Sequence, residues 1–308
     1  VGVGAFHPEG AVIAGQLMPE QRTRALSLFM FGGSLGLALG PTLSGLVVSR
    51  WGLAGLSRLM LPLLAVVMLL AWLGGFLKSR TPREVPARVQ RGAGSGAFDG
   101  RGRLAVLLLL GCSLRLVPNM AMDKVVAFTL EGRGFGTSEI GFSQSLFLVS
   151  ASAGMVLMAF RFRAGWEQAF MVWCPLAGIP LLLLLGWDGC PTWLFAALLV
   201  PTGLVLWGTT PAMVSYAQQL FPKGAGFASA ITMGMSWGLG GLIQAPLTAY
   251  FQSQQAYLAF IPFVALGALG AWLLPGVEEA SFDADMAEPA IDEPPPATGS
   301  LRPETAEA

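Results

Sequence analysis

The sequence predicts an all-α protein that crosses a membrane several times. Hydrophobic residues make up 54% of its 308 residues and charged residues only 12%, about half the charged share that is usual in a globular domain. The apolar residues form long unbroken runs, whereas a membrane β-barrel needs short strands of alternating polarity. This composition excludes a water-soluble domain, a collagen-like chain and a disulfide-rich scaffold.

Nine apolar segments are each long enough to span a bilayer core of about 30 Å, which takes about 20 helical residues. The segments cover residues 1–18, 24–49, 56–77, 104–130, 138–160, 168–187, 192–220, 225–252 and 255–274. The three cysteines lie in or beside these segments, and we interpret them as small buried hydrophobic residues.

The uneven distribution of charge predicts how the helices are oriented. Residues 1–275 carry seventeen Lys/Arg and nine Asp/Glu, a net charge of +8, whereas residues 276–308 carry one and nine, a net charge of −8. The one long internal connection, 78–103, holds seven Lys/Arg against two acids. At alternate connections we count twelve Lys/Arg on its side and three on the other. The positive-inside rule therefore predicts a plasma (inner) membrane protein whose linker 78–103 and disordered acidic tail 276–308 are cytoplasmic.

An internal repeat relates the start of the chain to its last third. Identical residues recur at an offset of 203 and then of 202; the first members of these pairs are Pro8, Ala14, Gln16, Leu17, Pro19, Ser27, Gly32, Ser34, Gly36 and Leu37. The seventh to ninth segments thus match the first to third. We therefore expect two equivalent six-helix halves in the intact protein, with nine of the twelve helices in this chain. Residues 1–77 are the last three helices of the amino-terminal half, 78–103 are the linker, and 104–275 are the carboxy-terminal half.

Residues 5–45, AFHPEGAVIAGQLMPEQRTRALSLFMFGGSLGLALGPTLSG, resemble the fosmidomycin resistance protein branch of the major facilitator superfamily. In that branch an FHPE-type motif precedes a short basic loop and then a Ser-Leu-Phe…Gly-Gly…Gly-Pro helix. The resemblance to the superfamily covers residues 1–275. It implies the major facilitator fold and an exporter of a drug or organic solute that is driven by proton exchange. The loop RFRAGWEQ after the fifth segment departs from the Gly-Asp-Arg-rich loop that is usual at that place.

A glycine stripe and a proline mark the second segment. Gly32, Gly36 and Gly40 recur every four residues, so a neighbouring helix can approach that face closely. Pro41 favours a bend, and Gly45 follows it. The stretch GLALGPTLSG also resembles the antiporter motif of the superfamily. Two compatible interpretations stay open, plain helix packing and a tight joint that limits leakage while the halves rock.

Charged groups at membrane depth are costly, which makes them candidates for function. Glu9 lies about 15 Å from the end of its helix, and Arg115 lies about 17 Å from the start of its own. In the facilitator plan they belong to the fourth and seventh helices, and both line the central cavity. We predict that Glu9 couples transport to protons and that Arg115 binds an anionic or polar substrate group. The alternative is a static buried ion pair, or two groups bonded to the backbone.

His7 precedes Glu9 by two residues and is predicted either to relay protons with it or to pack as a neutral ring. A single histidine with one acid offers too few ligands for a catalytic metal site, so we expect no metal. Further polar candidates for the substrate cavity are Asn119, Tyr216, Gln219, Gln144 and Gln244. Asp123 and Lys124 are expected to form a pair near the outer membrane interface.

These features predict a secondary active exporter of a drug or small organic solute, coupled to proton entry. Its expected partners are a small-molecule substrate, protons and the lipid bilayer, and we expect a monomer when the protein is intact. Three alternatives stay open: an importer of a sugar, amino acid or organic acid, an intramembrane enzyme, and a non-transporting receptor or scaffold. The enzyme is disfavoured because no nucleophile, metal or nucleotide motif accompanies His7 and Glu9. No cofactor, catalytic residue or nucleic-acid partner is expected.

Overall fold

A computed structural model describes residues 2–78, 101–161, 163, 165–252 and 254–276. Every regular element in these ranges is helical, and the predicted all-α class is confirmed. Seven helices of the described residues are long and apolar enough to cross a membrane; they cover Arg22–Trp51, Leu53–Leu73, Gly102–Gly132, Thr137–Met158, Glu167–Leu185, Thr192–Leu220 and Ala225–Tyr250. The first and last predicted segments form the shorter helices Gly2–Leu17 and Ala256–Trp272. Most of the linker 78–103 and nearly all of the tail 276–308 lie outside the described residues.

Apart from the linker between α3 and α4, the described helices follow one another with short connections. In chain order they are α1 (Gly2–Leu17), α2 (Arg22–Trp51), α3 (Met60–Lys78), α4 (Gly102–Gly132), α5 (Thr137–Arg161), α6 (Glu167–Leu185), α7 (Thr192–Gly208), α8 (Thr210–Leu220), α9 (Ala225–Ala230), α10 (Ser236–Tyr250), α11 (Ala256–Ala259) and α12 (Ile261–Trp272). Short 3₁₀ turns cover Pro19–Gln21, Leu53–Leu59 and Pro222–Gly224, and a π-helical turn covers Ile231–Met235.

Two predicted continuous spans are interrupted. The span 192–220 breaks at Thr209, between α7 and α8. Pro211 follows the break, and its missing N–H removes the bond that a helix would make to the carbonyl of Trp207. The span 225–250 contains the π turn, where the Ser236 hydroxyl donates to the carbonyl of Ile231 at 2.6 Å. Such turns are frequent at functional sites.

The sequence repeat is also a repeat of backbone conformation. The turn between α1 and α2 begins after Met18 (φ −136°, ψ 71°), and the turn between α8 and α9 begins after Phe221 (φ −125°, ψ 67°). A proline, Pro19 or Pro222, is the first residue of each turn. The turns end at Gln21 (φ −124°, ψ 41°) and Gly224 (φ −124°, ψ 36°). The two helix–turn–helix units are therefore built alike.

The two units also pack together reciprocally. Helix α1 contacts α9, while α2 contacts α8, which is the exchange expected of two units related by a two-fold axis. A Cβ placed on Gly15 would lie 2.8 Å from Oε1 of Gln218, the residue that the offset of 203 pairs with Gly15. A residue that contacts its own equivalent lies close to such an axis. The repeated units thus meet around a local two-fold.

Helix α2 runs antiparallel to α5 along most of its length. Near one end the Arg24 guanidinium lies 5.4 Å from the ring centroid of Phe160. The hydroxyl of Ser34 donates to Sδ of Met155 at 3.5 Å, and the amide of Thr42 donates to Oγ of Ser145 at 3.0 Å. We call the end of the bundle where α2 begins and α8 ends the linker end, and the end where α2 ends and α5 begins the far end.

Candidate functional site

A buried cation lies at the break between α7 and α8. Arg115, in the middle of α4, is 3% exposed. Its guanidinium donates to the carbonyl of Leu206 at 3.0 Å and to the hydroxyl of Thr209. Longer contacts of 3.4 Å reach Oγ1 of Thr210 and Sδ of Met213. The break at Thr209 thus places a carbonyl and a hydroxyl acceptor beside the charge.

The described partners of Arg115 are all neutral. Its Nε is buried and has no hydrogen-bond partner in the part of the chain that the structure describes. A buried charge surrounded by neutral groups is costly, so this guanidinium favours the approach of an anionic group. A cavity of about 10 Å³, lined by residues that include Arg115, Cys112 and Met213, has room for about one water molecule.

Two residues position Arg115. A Cβ on Gly267 of α12 would lie 3.0 Å from the backbone nitrogen of Arg115, so the glycine lets α12 pack tightly against α4. Asn119, one turn after Arg115, donates to the same Leu206 carbonyl at 3.0 Å and is 2% exposed. Its Oδ1 is buried and has no partner. The two side chains together cap the broken end of α7.

A buried carboxylate at the linker end joins α2 to the carboxy-terminal helices. Glu167, the first residue of α6, is 2% exposed. It accepts hydrogen bonds from Thr23 Oγ1 at 3.2 Å, Gln219 Nε2 at 3.1 Å and Ser215 Oγ at 3.5 Å. The amide of Gly165 also donates to it, at 2.9 Å. We call Glu167, Thr23, Ser215 and Gln219 the linker-end network.

The comparison with known proteins decides the family. The sequence model of the Major Facilitator Superfamily matches residues 1–245. The chain belongs to this superfamily. The predicted fold and the predicted family are thereby confirmed, and membership indicates a multi-pass membrane transporter.

Two curated relatives are similar to this superfamily member. The fosmidomycin resistance protein of Escherichia coli (strain K12) is 24% identical over 258 residues, which cover 79% of this chain and 60% of that protein. The uncharacterized MFS-type transporter YfnC of Bacillus subtilis (strain 168) is 26% identical over 289 residues, 89% of this chain and 69% of that protein. The chain thus matches less than two thirds of the first relative.

Among the glycines of α2 in this superfamily member, the one that lies close to another helix in the described structure is Gly45, near the far end. A Cβ on Gly45 would lie 2.7 Å from the carbonyl of Thr137, and the carbonyl of Pro41 lies against Gly141 of α5. Around the Cβ positions of Gly32, Gly36 and Gly40, the described residues place no atom within 4 Å. The same holds for their repeat equivalents Gly234 and Gly238. Packing against the stripe 32–40 stays a prediction.

The predicted pairing of Glu9 with Arg115 also stays a prediction for this superfamily member. Both Glu9 and His7 belong to α1, but the side chain of Glu9 lies outside the described residues. The His7 ring is half-buried and lies edge-on to Phe29, with 6.4 Å between the ring centroids. The described hydrogen bonds of Arg115 go to α7, to Thr209 and to α8.

The other predicted substrate residues are distributed between both ends of the bundle. Gln219 belongs to the linker-end network, and Tyr216 donates to the carbonyl of Pro275 at 2.7 Å. Gln144 of α5 donates to the carbonyl of Asp123 at 2.7 Å. Gln244 of α10 is 5% exposed, and its Oε1 is buried without a partner. Their roles in substrate binding stay predictions.

Asp123 and Lys124 differ in exposure, since Lys124 is exposed and Asp123 is half-buried. The positive charge of Lys124 acts on the Asp123 carboxylate, whose Oδ1 is buried with no hydrogen-bond partner among the described residues. Their pairing at the outer interface stays a prediction.

Glu167 is a site residue that the sequence did not single out. The signal for Glu167 was present, because it is an acid at the start of an apolar segment. Its partners Thr23 and Ser215 lie 144 and 48 residues away in sequence, so spacing alone does not reveal the network.

Proposed function

We propose that this superfamily member exports a drug or small organic solute in exchange for protons. The observation that carries the proposal is the buried guanidinium of Arg115, which has only neutral partners among the described residues. The relative named for fosmidomycin resistance supports export of a drug.

The chemistry of Arg115 favours a substrate with an anionic or strongly polar planar group. A guanidinium presents its donors in a rigid fork that matches a carboxylate or a phosphonate in bidentate fashion. In a dry protein interior such a contact is much stronger than in water. A substrate anion would supply the counter-charge that the described surroundings of Arg115 do not contain, and Nε is a donor with no partner among the described residues.

Proton coupling is assigned to Glu9, with His7 as its neighbour. A carboxylate on α1 that binds a proton becomes neutral. The net charge of the site that contains Arg115 then becomes more positive by one. In the proposed cycle, Glu9 releases its proton when the substrate anion binds, and the substrate leaves when Glu9 takes up a proton. The acid and the base come from different halves, since Glu9 lies in 1–77 and Arg115 lies in 104–275.

The linker-end network is proposed as the gate on the cytoplasmic side. Thr23 belongs to the amino-terminal half, whereas Glu167, Ser215 and Gln219 belong to the carboxy-terminal half. Opening of this side requires the bond between Thr23 and Glu167 to break. A bond to a charged acceptor contributes about 1.5–3 kcal/mol, which suits a contact that must break in every cycle.

The proposal is tested in everted membrane vesicles with fosmidomycin as the probe and the internal pH as the readout. Wild-type protein is expected to take up fosmidomycin while protons leave the vesicle. Arg115→Gln should abolish both fluxes, and Glu9→Gln should abolish the proton flux. Arg50→Gln is the matched control, because Arg50 is exposed at the far end. Full transport by Arg115→Gln would refute the proposal, and movement of substrate and protons in one direction would indicate an importer.

A further inference from the structure

Three polar residues follow one side of α4 at intervals of four, namely Arg115, Asn119 and Asp123. Residues four apart in a helix are neighbours on its surface and differ in height by about 6 Å. The three side chains thus cover about 12 Å of the membrane-spanning helix. Each has one buried atom with no partner among the described residues: Nε of Arg115, Oδ1 of Asn119 and Oδ1 of Asp123.

Neighbouring helices extend this polar side with amides. Gly240 of α10 lies against α4, since its Cβ position is 3.1 Å from the carbonyl of Ser113. Gln244 follows one turn nearer the far end, and its Oε1 is also buried without a partner. On α5, Gln144 bonds the backbone of Asp123. Unpaired polar atoms are costly in hydrocarbon, so four on adjacent faces indicate a polar passage.

Asp123 is the carboxyl group on this passage among the described residues. It precedes Gly132, the last residue of α4, by nine positions, which is about 13 Å. The chain between Asp123 and Arg115 contains no other titratable side chain. Asp123 therefore lies between the far end and the buried guanidinium.

The charged groups of the elements around α4 lie mainly at their ends. Helix α4 contacts α5, α7, α10, α11, α12 and the π turn. Their titratable residues are Glu139 and Arg161 on α5, Tyr250 on α10 and Tyr257 on α11. Glu139 accepts from the amide of Gly136 at 2.8 Å, and Tyr250 is exposed. On α4 itself, Cys112 lies on the linker-end side of Arg115, and Arg103, Lys124 and Glu131 complete the set.

We infer that Asp123 binds a proton during the transport cycle and that Asn119 and Gln244 connect it to Arg115. A proton from the far side adds to the carboxylate, giving a neutral carboxylic acid, and the same proton is later released. The neutral acid gains an O–H donor and loses the charge on which the adjacent Lys124 acts. The inference rests on the proposed function and adds a second proton-binding residue to it.

The test is infrared difference spectroscopy of the purified full chain between acidic and neutral pH, with the proton as the only probe. Wild-type protein should show a carboxylic-acid C=O band that appears as the pH falls. Asp123→Asn should lose the Asp123 component of this band, and Asp123→Glu should shift that component. Lys124→Gln and Glu139→Gln are controls that should keep it.

Spectra of Asp123→Asn and Asp123→Glu that both match the wild type would overturn the inference. If Asp123→Asn fails to fold, as judged by its circular dichroism, the shift in Asp123→Glu decides alone. The proposed function is judged separately in vesicles. Absence of proton-coupled fosmidomycin uptake by the wild type would refute that function without changing the spectra. If the wild type shows coupled uptake but the Asp123 variants have the same spectra as the wild type, only the assignment of Asp123 is refuted.

Discussion

At the scale of single residues, the two buried charges Arg115 and Glu167 have neutral partners among the described residues. Arg115 donates to a carbonyl and two hydroxyls, and Glu167 accepts from hydroxyl, amide and backbone donors. Neutral partners hold a charge in place without cancelling it. Such groups can exchange protons, ions or substrates at lower cost than a closed ion pair can.

Arg115→Lys tests whether geometry or charge matters at the α7–α8 break. Lysine keeps the charge but lacks the planar fork, so it cannot cap Leu206 and Thr209 together. We expect fosmidomycin transport to fall about tenfold, which corresponds to about 1.4 kcal/mol. Initial rates in vesicles measure it. A rate equal to that of wild type would show that only the charge is needed.

Glu167→Gln should loosen the linker end. The amide loses the charge and replaces one acceptor oxygen with a donor, so the bond to Thr23 weakens by about 1.5–3 kcal/mol. The readout is the alkylation rate of Ala14→Cys in protein whose three native cysteines are replaced by alanine. We expect at least a tenfold faster rate. Glu139→Gln, at the far end, is the control and should leave the rate unchanged; equal rates in both variants would contradict the gate.

At the scale of helices, close backbone approach is localised at a few glycines. On α5, a Cβ added to Gly154 would lie 2.6 Å from the carbonyl of Leu204 on α7. A side chain at this position would therefore force α5 and α7 apart. The sequence predicts the helices well, because runs of apolar residues are a local property. It does not predict which glycines lie against another helix. Gly154 and Gly45 do, whereas the Cβ positions of the glycines in the stripe 32–40 have no described atom within 4 Å.

Gly154→Ala should therefore destabilise the bundle by about 1–3 kcal/mol. Gly226→Ala is the matched control, since Gly226 is also helical and its Cβ position has no described atom within 4 Å. Thermal unfolding in detergent, followed by circular dichroism, compares the two. We expect a clear fall in the midpoint for Gly154→Ala and none for Gly226→Ala. Equal midpoints would contradict the close α5–α7 approach.

At the scale of the whole molecule, the repeat explains both what the sequence revealed and what it concealed. The offsets of 203 and 202 identified the two units, and the paired turns after Met18 and Phe221 bear the same backbone angles. The break at Thr209 and the network around Glu167 escaped prediction, since both depend on contacts between distant segments. The same is true of the neutral surroundings of Arg115.

The local two-fold predicts a specific cross-link. Because the Cβ position of Gly15 lies 2.8 Å from the end of the Gln218 side chain, a short bifunctional methanethiosulfonate should join the double variant Gly15→Cys/Gln218→Cys, in protein whose native cysteines are replaced. The cross-link should stop transport, and reduction should restore it. Gly15→Cys alone should keep transporting after the same treatment. Full activity of the cross-linked double variant would show that the two units need not move apart.

The most direct test of proton-coupled export is the release of protons when fosmidomycin binds to the purified protein in weakly buffered detergent solution. We expect a fosmidomycin-dependent proton signal in the wild type. We expect loss of that signal in Glu9→Gln, and loss of both binding and signal in Arg115→Gln. Binding that is unchanged in Arg115→Gln, or that moves no protons in the wild type, would contradict it.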